Sequence, residues 1–151
     1  MDQKQNAATR ANRAPPAPTI LVVEDEVLVR AAAGQYLRGC GFRVLEAVHA
    51  DEALDILQAD SSVQLVFADV KLPGPRNGVE LARIVRTAYP DKKMLLTSGV
   101  SPFPSVDGVT LLKKPYFLVD LERQIWALLR SAGLAAGVAA AFRRPSSPGE
   151  R

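Results

Sequence analysis

VQLVFADVKLPG, residues 63–74, is the stretch whose reading decides the fold. Its first seven residues form a short apolar run, closed by a Pro-Gly break at Pro73-Gly74, and read as a buried strand. The run ends in a carboxylate, Asp69, which at such a position is only partly hydrated. It therefore needs a cation, hydrogen bonds or a chemical task that uses its raised energy.

Working outward, the same unit recurs. TILVVED, from Thr19, is a second short apolar run ending in acid, with the length and the Val and Ile content of a buried strand. EVLVRAAAGQYLRGCG follows, with Val27, Ala31, Tyr36 and Leu37 at helical spacing and Gly39 and Gly41 as stop signals. FRVLEA reads as a strand and Asp51 to Ala59 as a helix. After VQLVFAD, Asn77 to Ala88 reads as a helix, then KMLLTS and VTLLKK as strands. LVDLERQIWALLRS closes the pattern, with Leu118, Leu121, Ile125, Leu128 and Leu129 on one face. Strands alternating with helices predict a parallel sheet covered on both faces, an α/β doubly wound fold whose ligand crevice lies outside the carboxyl ends of the strands.

The 151 residues, 48% of them hydrophobic, suffice for one core and leave no room for two full domains. The division expected is a disordered tail over 1–18, one domain over 19–131, and a C-terminal extension over 132–151 in which Leu134, Val138 and Phe142 suit a short helix before a disordered end. A single cysteine, Cys40, excludes an internal disulfide, and no secretory or membrane-spanning run is present, so a cytoplasmic location is expected. Nineteen basic against sixteen acidic residues give a net charge of +3, partly carried by the tails, and lend little weight to nucleic-acid binding.

The predicted topology brings Glu24, Asp25, Asp69, Ser98 and Lys114 to one edge of the sheet. Three carboxylates crowded there would repel one another, and a divalent cation with a preference for oxygen, magnesium, relieves this. A carboxylate beside a metal, an ammonium and a hydroxyl can accept a phosphoryl group. Asp69 would attack phosphorus while Lys114 and Ser98 meet the equatorial oxygens.

These residues carry a family resemblance. VVEDE (22–26), FADVKLPG (67–74), LLTSG (95–99) and KKP (113–115) stand in the order and approximate spacing of the motifs of a response regulator receiver domain of two-component systems, CheY-like and of single-domain type, over roughly Thr19 to Ser131. The resemblance implies a five-stranded, flavodoxin-like sheet of strand order 2-1-3-4-5, with phosphorylation of Asp69 by a histidine kinase or histidine phosphotransfer protein. It also implies magnesium held by Asp25, Asp69 and the backbone carbonyl of Lys71, with Glu24 acting through a water. Ser98 and Lys114 would contact the phosphoryl group, and the Lys114-Pro115 peptide would be cis.

Other readings of these residues compete. Glu24 or Asp25 alone could cap a helix, and Glu26 suits a solvent-facing first turn. Thr97 competes with Ser98, and Lys113 with Lys114; motif spacing favours Ser98 and Lys114. His49, the one histidine, reads as a plain surface residue, and Cys40 as a packing residue.

The pattern departs from the family in three places. The segment GVSPFPSVDGV carries Pro102, Pro104 and Gly108, and a proline inside a helix costs about 3 kcal/mol, so the fourth helix is expected to be shortened or missing. Leu111 stands where receivers commonly hold an aromatic switch residue, and the loop LPGPRNG is one residue longer than usual. About twenty residues follow the last helix, too few for a DNA-binding domain, so output by contact with a downstream protein is expected. The switch expected here is no enzyme beyond its own phosphorylation and dephosphorylation, and two rivals are weighed against it. A phosphatase of haloacid dehalogenase type would need a second acid where Lys71 stands, and a phosphate-independent pseudo-receiver scaffold is at odds with an intact set of site residues.

Overall fold

The structure, a computed structural model, describes residues 15–131. Five parallel strands, β1 (Thr19–Val23), β2 (Arg43–Ala47), β3 (Val63–Asp69), β4 (Lys93–Ser98) and β5 (Thr110–Lys113), lie in the order β2-β1-β3-β4-β5. Four helices connect or follow them: α1 (Val27–Gly39), α2 (Ala50–Ala59), α3 (Gly78–Ala88) and α4 (Leu118–Ser131). The doubly wound sheet expected from the alternation is thus present, with the flavodoxin-like order. The expectations for residues 1–14 and for the C-terminal extension lie outside the described residues.

Two apolar layers sandwich the sheet. One joins Leu21, Val23, Val66 and Leu96 to α2 through Ala53 and Leu57 and to α3 through Leu81 and Val85. The other joins Ile20, Val22, Phe67 and Leu95 to α1 through Ala33 and Leu37 and to α4 through Leu121, Ile125 and Leu129. Burial on both sides explains why β1 and β3 are continuous apolar runs rather than alternating ones. Each Leu or Ile so buried contributes about 1.5–3 kcal/mol, more than the roughly 1 kcal/mol that a glycine costs a helix, so α1 tolerates its Gly34.

Three local expectations are corrected. The buried stripe of α1 is Ala33, Gly34 and Leu37, whereas Val27 is 66% exposed, because the helix begins beyond the edge of the sheet. His49 is not a plain surface residue. Its Nδ1 accepts from the Glu52 amide at 3.0 Å while Glu52 Oε2 accepts from the Val48 amide at 3.2 Å, a reciprocal cap that starts α2 at Ala50. Asn77 precedes rather than begins α3, its Oδ1 accepting from the Glu80 amide at 2.9 Å.

Between β4 and β5 the chain forms no helix, as Pro102 and Pro104 predict. Val106 and Val109 of this connector pack on the layer that holds Leu96 and Leu111. Gly108, at φ 74°, makes room for the guanidinium of Arg86 from α3. β5 is left only half-buried.

Candidate functional site

Register places the site. Val23 of β1 pairs with Ala47 and Ala68, Asp69 with Thr97, and Ser98 with Lys113, so the strands end together at one edge. Glu24 and Asp25 follow β1, Asp69 and Ser98 end β3 and β4, and Lys114 follows β5. All five predicted side chains meet at this edge. Asp25, Asp69, Lys71, Ser98 and Lys114, with Glu26, Gly99 and Val100, line a pocket of about 350 Å³ open to solvent, and Glu24 lies buried behind it.

Asp69 is 7% exposed and its two oxygens have different partners. Oδ1 accepts from the Lys71 amide at 2.9 Å, and Oδ2 pairs with the Lys114 ammonium. The backbone around it is fixed from both sides, since the Val70 amide donates to the Thr97 carbonyl at 3.0 Å and the Val70 carbonyl accepts from the Gly78 amide at 2.9 Å. The opening puzzle of the sequence has a structural answer: the partly dehydrated carboxylate is held by an ammonium and an amide.

Glu24 is 6% exposed, and its carboxyl is pushed up to about 7. Burial is the main cause. The Glu26 amide, donating to Oε1 at 3.1 Å, opposes it; the negative charge of Asp69 adds to it, and the Lys114 ammonium offsets it again. The Tyr116 hydroxyl is likewise pushed up to about 12, by burial first and then by Glu24 and Asp69. The acids therefore form one region of negative potential that a single ammonium does not neutralise.

The structure separates the paired candidates. Thr97 Oγ1 is turned away and donates to the Leu112 carbonyl at 2.8 Å, while Ser98 lines the pocket, its Oγ accepting from the Val100 amide at 3.3 Å. Lys114 reaches Asp69; Lys113, exposed, is not merely solvated, because its ammonium lies 4.8 Å over the Phe103 ring. Lys114-Pro115 is cis, as is Ser101-Pro102. Glu26 is exposed at the head of α1 but also borders the pocket. Sequence reading does not single out Gly99, Val100 or Tyr116. Their adjacency to Ser98 and to the Lys-Pro pair was the available signal.

The donor set suits a hard cation. Among the described residues no three carboxylate, imidazole or thiolate groups are gathered into a ready-made metal cage. Two buried acids and one exposed acid beside an open pocket instead match an ion that binds through a few carboxylates and keeps part of its water, the habit of magnesium. Beyond Lys114 an apolar groove of about 680 Å³ runs between Leu28 and Val29 of α1 and Pro115, Tyr116 and Leu118. No described helix is long and apolar enough to cross a membrane.

Comparison with known proteins gives the same direction. A family model described as a response regulator receiver domain matches residues 20–113. The crystal structure of the receiver domain from the hybrid histidine kinase CckA is 34% identical at a TM-score of 0.64, covering 74% of this chain and 98% of that one. A response regulator receiver protein from Sinorhizobium medicae WSM419 shares the fold, with a TM-score of 0.71 at 24% identity over 77% of this chain and 97% of that one. The sensor kinase CckA of Brucella abortus (strain 2308) is 30% identical over 133 residues, which cover 83% of this chain and 14% of that protein. The chain spans half or less of the length of the curated relatives it matches.

Proposed function

From the premise that this chain belongs to the response regulator receiver domain family, we propose that Asp69 accepts a phosphoryl group from a histidine kinase or histidine phosphotransfer protein. The chain then acts as a switch read by contact with another protein. One observation carries this reading: the buried Asp69 has one oxygen anchored on the Lys71 amide and the other paired at the pocket with the Lys114 ammonium, with the Ser98 hydroxyl lining the same pocket.

Asp69 Oδ2 exchanges the Lys114 ammonium for phosphorus. A bond forms between Oδ2 and phosphorus as the bond from phosphorus to the donor's imidazole nitrogen breaks, and the imidazole keeps the electron pair. The ammonium freed from Oδ2 follows the charge to a phosphoryl oxygen, and the Ser98 hydroxyl donates to another. Oδ1 stays on the Lys71 amide, so the carboxylate is not free to rotate away during transfer. Glu24, Asp25, Asp69 and the Lys71 carbonyl would hold magnesium, which when bound supplies positive charge against the oxygens of the phosphoryl group. A cytoplasmic location, expected from the composition, belongs to the same reading.

Intact mass after incubation with a phosphorylated kinase or acetyl phosphate in magnesium tests it. One added phosphate is expected in the parent and none in Asp69→Asn. A variant that gains the phosphate at the parental rate would place the acceptor elsewhere.

A further inference from the structure

We infer that Gly78, the first residue of α3, is a positioning residue for the phosphoacceptor: its missing side chain is what allows Asp69 to sit where it does. A Cβ on Gly78 would fall on the carbonyl oxygen of Asp69 itself, 2.8 Å from Val70 Cα and 2.9 Å from the Asp69 carbonyl carbon. All three obstacles are main-chain atoms, so no side chain can swing aside to admit it. Gly78 is buried, and its amide donates to the Val70 carbonyl at 2.9 Å, which closes the loop 70–77 directly behind the carboxylate.

The backbone at Gly78 lies outside the left-handed region, the one that favours glycine, so its conformation does not explain the residue. Alanine is also the stronger helix former, and at the head of α3 local propensity alone would favour it. The close approach of the Asp69 and Val70 main chain is the force on the other side. Because Val70 is tied to the Thr97 carbonyl as well as to Gly78, a methyl group here cannot be absorbed by the loop without moving the β3 terminus. The displacement passes to Asp69 and to the Lys71 amide that holds its Oδ1. Glycine at this point lets α3 approach the nucleophile's main chain closely enough to make the Gly78–Val70 hydrogen bond.

This inference rests on the phosphoacceptor reading, and the test keeps the two apart. The full chain and its Gly78→Ala variant are phosphorylated with acetyl phosphate in magnesium and followed by intact mass, with rates normalised to the folded fraction from near-ultraviolet circular dichroism. A fall of at least tenfold is expected, on the order of 10²-fold for a displacement near 1 Å. Asn77→Ala, which removes the cap of the same helix without touching Asp69, should keep the parental normalised rate. The Lys71 amide resonance, read without any phosphoryl donor, should move in Gly78→Ala and stay in Asn77→Ala. Failure of the parent to take up phosphate would remove the phosphoacceptor reading while leaving the amide measurement to judge Gly78. Equal normalised rates with an unmoved Lys71 resonance overturn the inference. So does a Gly78→Ala chain that stays unfolded even in 1 M trimethylamine oxide, since the contact would then serve folding and not position.

Discussion

Glu24→Gln is the substitution whose effect the structure constrains most closely. The parent carboxyl is pushed from 4.5 to about 7, chiefly by burial. A group whose folded pKa is raised contributes stability that is complete below its unfolded pKa and is lost as pH rises through the folded value. The metal-free parent should therefore weaken from about pH 4.5 upward and level off above about pH 7. Integrated between pH 5 and pH 8, this single group accounts for about 2.5 kcal/mol. Glutamine keeps the oxygen that accepts from the Glu26 amide and removes the charge, so the variant should lack this slope. Urea unfolding in EDTA at the two pH values measures it, and at pH 8 the variant should be the more stable protein by about 3 kcal/mol, since the parent has already lost part of this stability at pH 5. Magnesium, which favours the ionised acid, should restore much of the parent's loss and do little for the variant. Parallel pH profiles of parent and variant in EDTA would refute the argument, because burial of Glu24 would then carry no ionisation cost.

Lys114→Ala should leave magnesium binding largely intact but uncouple phosphorylation from conformational change, since its ammonium is the group that must pass from Asp69 to the phosphoryl oxygens. Beryllofluoride should then leave the variant's amide spectrum unaltered where it alters that of the parent. His49→Ala should cost about 1 kcal/mol in urea unfolding by removing the acceptor for the Glu52 amide at the head of α2. Lys92→Met should cost about 1–3 kcal/mol in the same assay, because the buried ammonium donates to the Val63 and Ser61 carbonyls at 2.6 and 3.1 Å and methionine leaves both unpaired.

What could be read from the sequence follows from where burial is two-sided. TILVV and VQLVFAD are buried along nearly their whole length, so apolar runs located the central strands, and the acids that end them fell at the site by register alone. Alternation along a strand lets only one of Thr97 and Ser98 face the crevice, and it was motif spacing that chose Ser98 and Lys114. The face of α1 was misread at Val27, which looks like core by type yet is 66% exposed, a tertiary fact that periodicity cannot carry. His49, Lys92 and Gly78 escaped for a related reason. Each acts through a backbone group brought to it by folding, the Glu52 amide, the Val63 carbonyl and the Asp69 carbonyl, and backbone groups have no signature in sequence.

The missing helix between β4 and β5 is where that backbone logic matters most. A helix there would bury an apolar stripe against Leu96 and Leu111; the connector supplies Val106 and Val109 instead, and β5 stays half-exposed in consequence. What holds the segment is a set of separate ties: the Val100 amide on the Ser98 hydroxyl, the Phe103 ring under the Lys113 ammonium, and Gly108 beneath the guanidinium of Arg86. Few buried apolar contacts place such a segment at the low end of local stability. Its first tie is to the hydroxyl that would turn toward a phosphoryl group, and its second is to the residue next to Lys114. With Leu111 in place of an aromatic ring, these ties join the connector to Ser98 and to the neighbour of Lys114, the residue that pairs with Asp69.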